Sequence, residues 1–155
     1  MFWTNEARNS VGRSGMDGSN PLSIISGLNG PRGIKVDFEE SRIYFTVASD
    51  HKIESSNFQG GDRRTVIQVS SDSYPYGIVL LNNKIYWANL YSKTIQCCTK
   101  DGGDTEILLN TGTSGVGYLT AVPMLNLPRN RINHCAQQSC SKVCVLTTTS
   151  SRCLN

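Results

Sequence analysis

The sequence predicts an all-β fold built from a repeated four-stranded sheet, and three observations support this prediction. An aromatic pair occurs at positions 2/3, 44/45 and 86/87, so both steps along the chain are 42 residues. Gly18, Gly60 and Gly102 keep the same spacing. Short apolar runs alternate with Gly, Ser, Thr and Asn, and no helical periodicity is present. A period of about 40 to 50 residues with several short strands is typical of a β-propeller blade.

The first repeat contains three predicted strands, at residues 2–5, 11–16 and 22–26. Asp17-Gly18 lies between the second and the third, and Asp-Gly favours a tight hairpin because it readily adopts positive φ. No entry strand precedes the aromatic pair. The sequence therefore predicts that the chain opens within a blade and that further blades belong to a longer parent protein.

Two complete repeats follow, and each begins with a Pro-x-Gly-Ile motif, at Pro31-Arg32-Gly33-Ile34 and Pro75-Tyr76-Gly77-Ile78. Ile34 and Val36 alternate with polar residues, as in a half-buried strand, and Asn82-Asn83 is compatible with a type I′ hairpin. The predicted strands are 32–37, 42–47, 52–58 and 64–69, then 76–81, 84–89, 94–99 and 105–109, and finally an entry strand at 117–122.

These motifs resemble the YWTD repeat, or class B repeat, of the low-density lipoprotein receptor and its relatives. The resemblance implies an incomplete YWTD-type β-propeller of about three blades out of six. No copy reads YWTD in full, because the final Asp is replaced by Asn5, Val47 and Asn89. Hydrogen bonding between blades through that carboxylate is therefore expected to be weakened or lost. The repeat-motif residues are Phe2, Trp3, Tyr44, Phe45, Tyr86 and Trp87.

The rest of the chain divides into a connector and a cysteine-rich segment. Residues 1–122 carry the repeats, 123–133 form a connector with two prolines, and 134–155 contain four cysteines with x4, x3 and x8 spacing. The spacing alone permits three disulfide connectivities. Zinc binding by His134 with these cysteines is an alternative, but structural zinc sites usually use shorter, paired C-x2-C to C-x4-C motifs.

The cysteine-rich segment resembles the start of an EGF-like module, which follows each propeller in the receptor family. This resemblance implies disulfides between Cys135 and Cys144 and between Cys140 and Cys153, in a module cut short after Cys153. No acidic run precedes Cys135, so calcium binding is not expected. Cys97 and Cys98 are adjacent on a predicted strand, and we expect one to pack inside and the other to face solvent.

Charge and motif content exclude several function classes. The net charge of +3 with scattered Lys and Arg does not predict nucleic-acid binding. No apolar stretch approaches the length of a membrane span. GxSxG, Walker and HExxH motifs are absent, and most acidic residues fall in predicted turns. We therefore expect a protein without catalytic activity or cofactor.

Two groups of residues are candidates for function. Tyr74, Tyr76, Tyr91 and Tyr118 lie near strand ends, where an aromatic side chain can either anchor a protein partner or pack between blades. Histidine is the side chain type whose charge changes most readily near endosomal pH, so His51 and His134 are candidate pH sensors or ordinary surface histidines.

The resemblance implies an extracellular protein-binding module of a receptor that acts in ligand binding, endocytosis or signalling co-reception. Its expected partners are an extracellular protein and the remaining blades of the parent protein. The expected location is the outer side of a single-pass membrane protein, or a secreted protein. A nidogen-like matrix protein and a calcium-dependent propeller hydrolase are the alternatives. Exposed strand edges also predict that the isolated chain self-associates.

Overall fold

The computed structural model describes residues 1–112 and 115–121, together with the backbone of strands 143–146 and 151–154. The chain divides into two compact units, Met1–Thr120 and Ala121–Asn155. Three antiparallel sheets follow one another along the first unit, and this architecture confirms the predicted all-β fold. Among the described residues, no helix has the length and apolar character needed to cross a membrane.

Each sheet is a meander in which strands adjacent in sequence are neighbours in space. A single 3-10 turn, Ala48–Asp50, interrupts the strands of the described part of the first unit. Sheet 1 contains β1 (Phe2–Asn5), β2 (Ser10–Arg13) and β3 (Leu22–Ile25); sheet 2 contains β4 (Pro31–Asp37), β5 (Arg42–Val47), β6 (Lys52–Asn57) and β7 (Arg64–Gln68); sheet 3 contains β8 (Pro75–Leu81), β9 (Lys84–Asn89), β10 (Thr94–Thr99) and β11 (Glu106–Asn110).

The predicted entry strand at 117–122 is wrong over residues 117–121, which form no strand. No neighbouring strand pairs with this segment among the described residues, so it has no ladder of backbone hydrogen bonds. Its position nevertheless matches that of an entry strand. A Cβ added to Gly77 would lie 2.6 Å from the Gly117 carbonyl oxygen, just as one added to Gly33 would lie 2.5 Å from the Tyr76 carbonyl oxygen.

The hydrophobic core lies between the sheets, because alternate side chains of each second strand point to opposite faces. In β5, Phe45 packs toward sheet 1, in a cluster with Val11 and Ile25. Tyr44 packs toward sheet 3, in a cluster with Ile85 and Trp87. Phe45 and Trp87, the second rings of their pairs, therefore contact the preceding sheet, and Phe2 and Tyr44, the first rings of theirs, contact the following one.

A threonine hydroxyl also links neighbouring sheets. Thr4 Oγ1 donates a hydrogen bond of 2.6 Å to the Arg32 carbonyl, and Thr46 Oγ1 donates one of 2.9 Å to the Tyr76 carbonyl. The residues at the degenerate acidic position bond locally instead. Asn5 accepts from the Arg8 N–H at 3.0 Å, and Asn89 donates to Thr94 at 3.2 Å. In the described structure, the hydrogen bond between sheets is therefore made by the threonine of the motif, and not by the residue at the acidic position that follows it.

Two of the periodic glycines form part of the contact between sheets. Gly60 and Gly102 have φ of +83° and +85°. A Cβ added at Gly60 would overlap the Ile24 carbonyl oxygen of sheet 1, and one at Gly102 would overlap the Val66 carbonyl oxygen of sheet 2. The hairpin turns of sheets 2 and 3 therefore pack directly on the outer strand of the preceding sheet.

The expectation that either Cys97 or Cys98 faces solvent is wrong, because each is only 1% exposed. Cys98 lies in the core cluster between sheets 2 and 3. Cys97 is on the other face of β10, where its Sγ lies 3.8 Å from Lys84 Nζ and 3.9 Å from the Glu106 carboxylate. Burial raises the pKa of both thiols, that of Cys98 to about 11, so both are protonated at neutral pH.

The second unit contains one described hairpin, formed by β12 (Val143–Leu146) and β13 (Ser151–Leu154). The two strands pair antiparallel, with Cys144 opposite Cys153 in the Cα register. Cys135, Cys140 and His134 lie outside the described residues. The EGF-like module, its disulfide pairing and the domain boundaries at 122, 123–133 and 134 remain predictions.

Candidate functional site

The four tyrosines singled out by sequence lie at one end of the sheets. Strands β4 and β8 begin at the end where β1, β5 and β9 finish, because neighbouring strands run antiparallel. Tyr74 and Tyr76 flank the start of β8, and Tyr91 lies in the turn after β9. We call this surface the tyrosine face and define it by the four tyrosines together with Arg32 and Glu6.

Arg32 lies at the centre of the tyrosine face. Its guanidinium carbon is 5.9 Å from the ring centroid of Tyr74 and 5.1 Å from that of Tyr76, within the range of cation–π attraction. Tyr74 packs against Tyr91 at a centroid distance of 4.8 Å, and Tyr76 meets Tyr118 edge to face at 5.2 Å. The side chains thus form a continuous row in the order Tyr91, Tyr74, Arg32, Tyr76, Tyr118.

Glu6 neutralises the charge at the centre of this row. Its two carboxylate oxygens accept hydrogen bonds from the two terminal nitrogens of Arg32. Burial lowers the pKa of Arg32, but the hydrogen bond with Tyr74 and the negative charge of Glu6 more than offset this and raise it above its ordinary value. The guanidinium is therefore always charged, and its ion pair holds the residue between the rings.

The two ends of the row are the accessible part of the tyrosine face. Tyr91 is 62% exposed and Tyr118 is 79% exposed, whereas Tyr74 and Tyr76 are half-buried. A tyrosine offers an apolar ring and a polar hydroxyl and loses little conformational entropy on contact. The arrangement therefore suits contact with a protein surface, and its inner rings support the outer ones.

Sequence reasoning selected the tyrosines but missed Arg32 and Glu6. Arg32 occupies the variable position of its Pro-x-Gly-Ile motif, and Tyr76 occupies the same position in the next repeat. An alignment of the two motifs could therefore have predicted that the side chains of Arg32 and Tyr76 lie near each other. Glu6 has no counterpart at the period, so the sequence contained no signal for it.

His51 lies at the same end of sheet 2 and is half-buried. Its backbone closes the 3-10 turn with φ of 54°, and its Nδ1 is 2.5 Å from the Ser73 carbonyl oxygen, next to Tyr74. An Nδ1–H group donates this hydrogen bond in both the neutral and the charged imidazole. The contact by itself therefore does not require protonation, and the pH-sensor role of His51 remains a prediction.

The repeat-motif rings are structural, since Tyr44, Phe45 and Trp87 are fully buried between sheets. Phe2, Trp3 and Tyr86 are half-buried. Within residues 1–112 and 115–121, no group of three His, Cys, Asp or Glu side chains is placed to hold a metal ion.

Two curated receptors are similar to this chain in sequence, whereas no protein-family model matches it. The vitellogenin receptor Yl of Drosophila melanogaster is 30% identical over 149 residues, and the vitellogenin receptor of Solenopsis invicta is 29% identical over 149 residues. Each alignment covers 94% of this chain but only 7% and 8% of the respective receptor. The chain therefore corresponds to a small part of the length of these relatives.

Solved structures show the same architecture. A chain of the nidogen/laminin complex superposes with a TM-score of 0.70 and 26% identity, over 76% of this chain and 46% of that one. A streptogramin B lyase superposes with a TM-score of 0.64 and 21% identity, over 76% of this chain and 39% of the enzyme. The second likeness concerns the fold alone.

Proposed function

We propose that this chain is a non-catalytic extracellular module of a receptor related to the low-density lipoprotein receptor, and that it binds a protein ligand through the tyrosine face. The continuous row from Tyr91 to Tyr118 is the observation that carries this proposal. Similarity to two receptors supports an extracellular or cell-surface setting. Endocytic uptake and an EGF-like module after the propeller form part of the proposal.

The names of the relatives supply the first candidate ligand. Both are vitellogenin receptors, so we propose vitellogenin as the partner of this chain. A few aromatic residues typically supply most of the affinity of a protein interface, each contributing about 2 kcal/mol or more. We assign this role to Tyr91 and Tyr118, because they are the most exposed members of the tyrosine face.

The test is binding of purified vitellogenin to the immobilised full chain, comparing Tyr118→Ser with Phe38→Ser. Phe38 is 80% exposed, as Tyr118 is 79% exposed, but it follows the end of β4 at the opposite end of the sheets. We expect Tyr118→Ser to raise the Kd by at least about tenfold, which corresponds to about 1.4 kcal/mol. Phe38→Ser is expected to leave it within about twofold. Equal effects of the two substitutions would contradict the assignment of the face.

A matrix protein is the second candidate, favoured by the superposition on the nidogen/laminin complex. The same immobilised chain tested against purified laminin distinguishes the two. Binding of laminin but not vitellogenin, lost in Tyr118→Ser, supports the matrix role, and the reverse supports the receptor role. If neither protein binds, both candidate functions are wrong.

A further inference from the structure

The arginine at the centre of the tyrosine face is paired with a carboxylate of the chain itself. Both terminal nitrogens of Arg32 donate to the two oxygens of Glu6, so the guanidinium and the carboxylate meet through two parallel hydrogen bonds. Arginine recognises carboxylates of other molecules through the same two-bond geometry. The pair is accessible to solvent, because the side chain of Arg32 is 23% exposed and that of Glu6 is 54% exposed.

Arg32 is held by several contacts besides the one with Glu6. Its backbone carbonyl accepts the 2.6 Å hydrogen bond from Thr4, and its guanidinium lies within cation–π distance of the rings of Tyr74 and Tyr76. The Tyr74 hydroxyl also accepts a long hydrogen bond of 3.4 Å from Nη2. The guanidinium therefore keeps its place between the two rings when the carboxylate bound to it is exchanged for another.

Glu6, in contrast, is held by Arg32 alone. It begins the exposed turn 6–9 between β1 and β2, and in the described structure its carboxylate accepts hydrogen bonds from no other residue. An exposed ion pair contributes little to stability, because water solvates both charges when they separate. Glu6 can therefore leave Arg32 by rotation of its side chain, at small cost and without a change in the sheets.

We propose that the tyrosine face recognises a carboxylate, and that Glu6 occupies the position that an Asp or Glu side chain of the protein ligand takes on binding. The ligand's carboxylate replaces Glu6 on Arg32, while the exposed rings of Tyr91 and Tyr118 contact the residues on either side of it. The new ion pair is shielded from water by the interface, so it is stronger than the exposed pair that it replaces.

This replacement would make the face selective. A ligand without a carboxylate leaves Glu6 in place and gains nothing from Arg32, whereas an acidic segment gains the two hydrogen bonds of the guanidinium. The inference rests on the proposed function, because it names the chemistry of the ligand at the same surface. A small carboxylate used as the probe separates the two, since its binding does not depend on the identity of the protein ligand.

The first test measures the binding of acetate at Arg32 by NMR. The Nε of Arg32 is buried, so its N–H exchanges slowly with water and gives a signal that Arg32→Lys identifies by its absence. Sodium acetate is compared with sodium chloride at equal ionic strength. We expect a saturable shift of this signal in Glu6→Gln, with a Kd at least about tenfold lower than in the wild type, because acetate no longer competes with Glu6.

Asp50→Asn is the matched control. Asp50 lies at the same end of sheet 2 and its removal changes the net charge equally, but its carboxylate contacts Asn29 at 3.0 Å and Lys52 at 3.3 Å and not Arg32. We expect Asp50→Asn to bind acetate with a Kd within about twofold of the wild-type value.

The second test measures the binding of vitellogenin to the immobilised full chain. We expect Glu6→Gln to lower the Kd by about threefold or more, because the ligand no longer has to displace Glu6. Arg32→Lys is expected to raise the Kd by about tenfold, because an ammonium group cannot form the paired hydrogen bonds. If vitellogenin binds no variant while acetate binds Glu6→Gln, the assigned ligand is wrong and the carboxylate site is supported.

Two results would overturn the proposal. The first is the lack of a saturable acetate response in Glu6→Gln, or an equal response in Glu6→Gln and Asp50→Asn, because binding would then follow overall charge. The second is weaker binding of vitellogenin by Glu6→Gln than by the wild type, because Glu6 would then contribute to the interface and not compete with the ligand.

Discussion

The contact between sheets 1 and 2 and the contact between sheets 2 and 3 share a backbone register but differ in side-chain chemistry. Phe58 and Lys100 are 42 residues apart and take the same place in the two contacts. The Phe58 ring lies 5.3 Å from that of Phe2 and 6.2 Å from that of Phe38. The first contact is therefore closed by aromatic packing at the end of the sheets opposite the tyrosine face.

At the corresponding place in the second contact, a buried ion pair joins sheets 2 and 3. Lys100 Nζ forms an ion pair with Asp37, and both side chains are more than nine-tenths buried. Glu40 lies 3.4 Å from Lys100 Nζ and accepts a hydrogen bond of 2.8 Å from the Tyr44 hydroxyl. Burial, followed by the hydrogen bond to Glu40, raises the pKa of Tyr44 to about 12, so the hydroxyl remains protonated and donates.

The comparison separates what every contact between sheets needs from what each can vary. Three features recur in both contacts. A glycine packs on a carbonyl of the preceding sheet, aromatic rings from the two sheets pack in the core between them, and a threonine hydroxyl donates a hydrogen bond to the following sheet. The position taken by Phe58 and Lys100 accepts either an aromatic or a charged residue, provided that the residues in contact with it are of matching chemistry. An aromatic contact tolerates substitution, whereas a buried ion pair is costly to break on one side only.

The largest expected effect is that of Lys100→Met, which leaves the Asp37 carboxylate buried without its ammonium partner. We expect the free energy of unfolding to fall by about 3–5 kcal/mol, measured by urea denaturation. Adding Asp37→Asn to Lys100→Met is the control, because it removes the stranded charge and is expected to restore part of the loss. A decrease of less than about 1 kcal/mol would show that the pair is screened by solvent.

Thr46→Val is expected to have a smaller effect than Lys100→Met. The Thr46 hydroxyl is fully buried, accepts from the Gly33 N–H at 2.8 Å and donates to the Tyr76 carbonyl. Valine keeps the shape but leaves both backbone groups unpaired, at a cost of about 1–3 kcal/mol. Thr4→Val, which removes one bond at a half-buried position, is the comparison and should cost less in the same denaturation experiment.

Acid should weaken the contact between sheets 2 and 3, with the smallest effect of the three. Burial alone raises the pKa of Asp37, but hydrogen bonds from Lys100 and from the Glu40 and Glu39 N–H groups lower it below 3.8 overall. This carboxylate therefore stabilises the fold above the pKa of the unfolded state, and its contribution is lost as the pH falls through the folded value. Thermal melting from neutral pH to about pH 3 should show a shallower acid decline in Asp37→Asn.

The sequence predicted the parts of this fold that repeat. The aromatic pairs, the glycines and eleven strands lie at or within a few residues of their predicted positions, because the 42-residue period fixes the register of every sheet. Residues 117–121 were wrongly predicted because their pattern matches an entry strand, whereas a strand also needs a partner for its backbone hydrogen bonds.

Contacts that do not recur at the 42-residue period could not be predicted from the sequence. Glu6 pairs with Arg32 across 26 residues and Lys100 with Asp37 across 63, and neither pair recurs at the period. Cys97 is buried by long side chains, Lys84 and Glu106, that a strand pattern treats as solvent-facing. The tyrosine face was found in part, since its aromatic members stand near strand ends and its charged members do not follow the motif.

One backbone register, repeated every 42 residues, joins the sheets. The free energies of unfolding of three glycine variants test this most directly. Gly27→Ala places an alanine at positive φ in open space and is expected to cost about 1–2 kcal/mol. Gly60→Ala and Gly102→Ala add an overlap with a carbonyl of the preceding sheet, and should each cost at least about 2 kcal/mol more. Equal losses in all three variants would contradict the claim, because the glycines would then serve only their own turns.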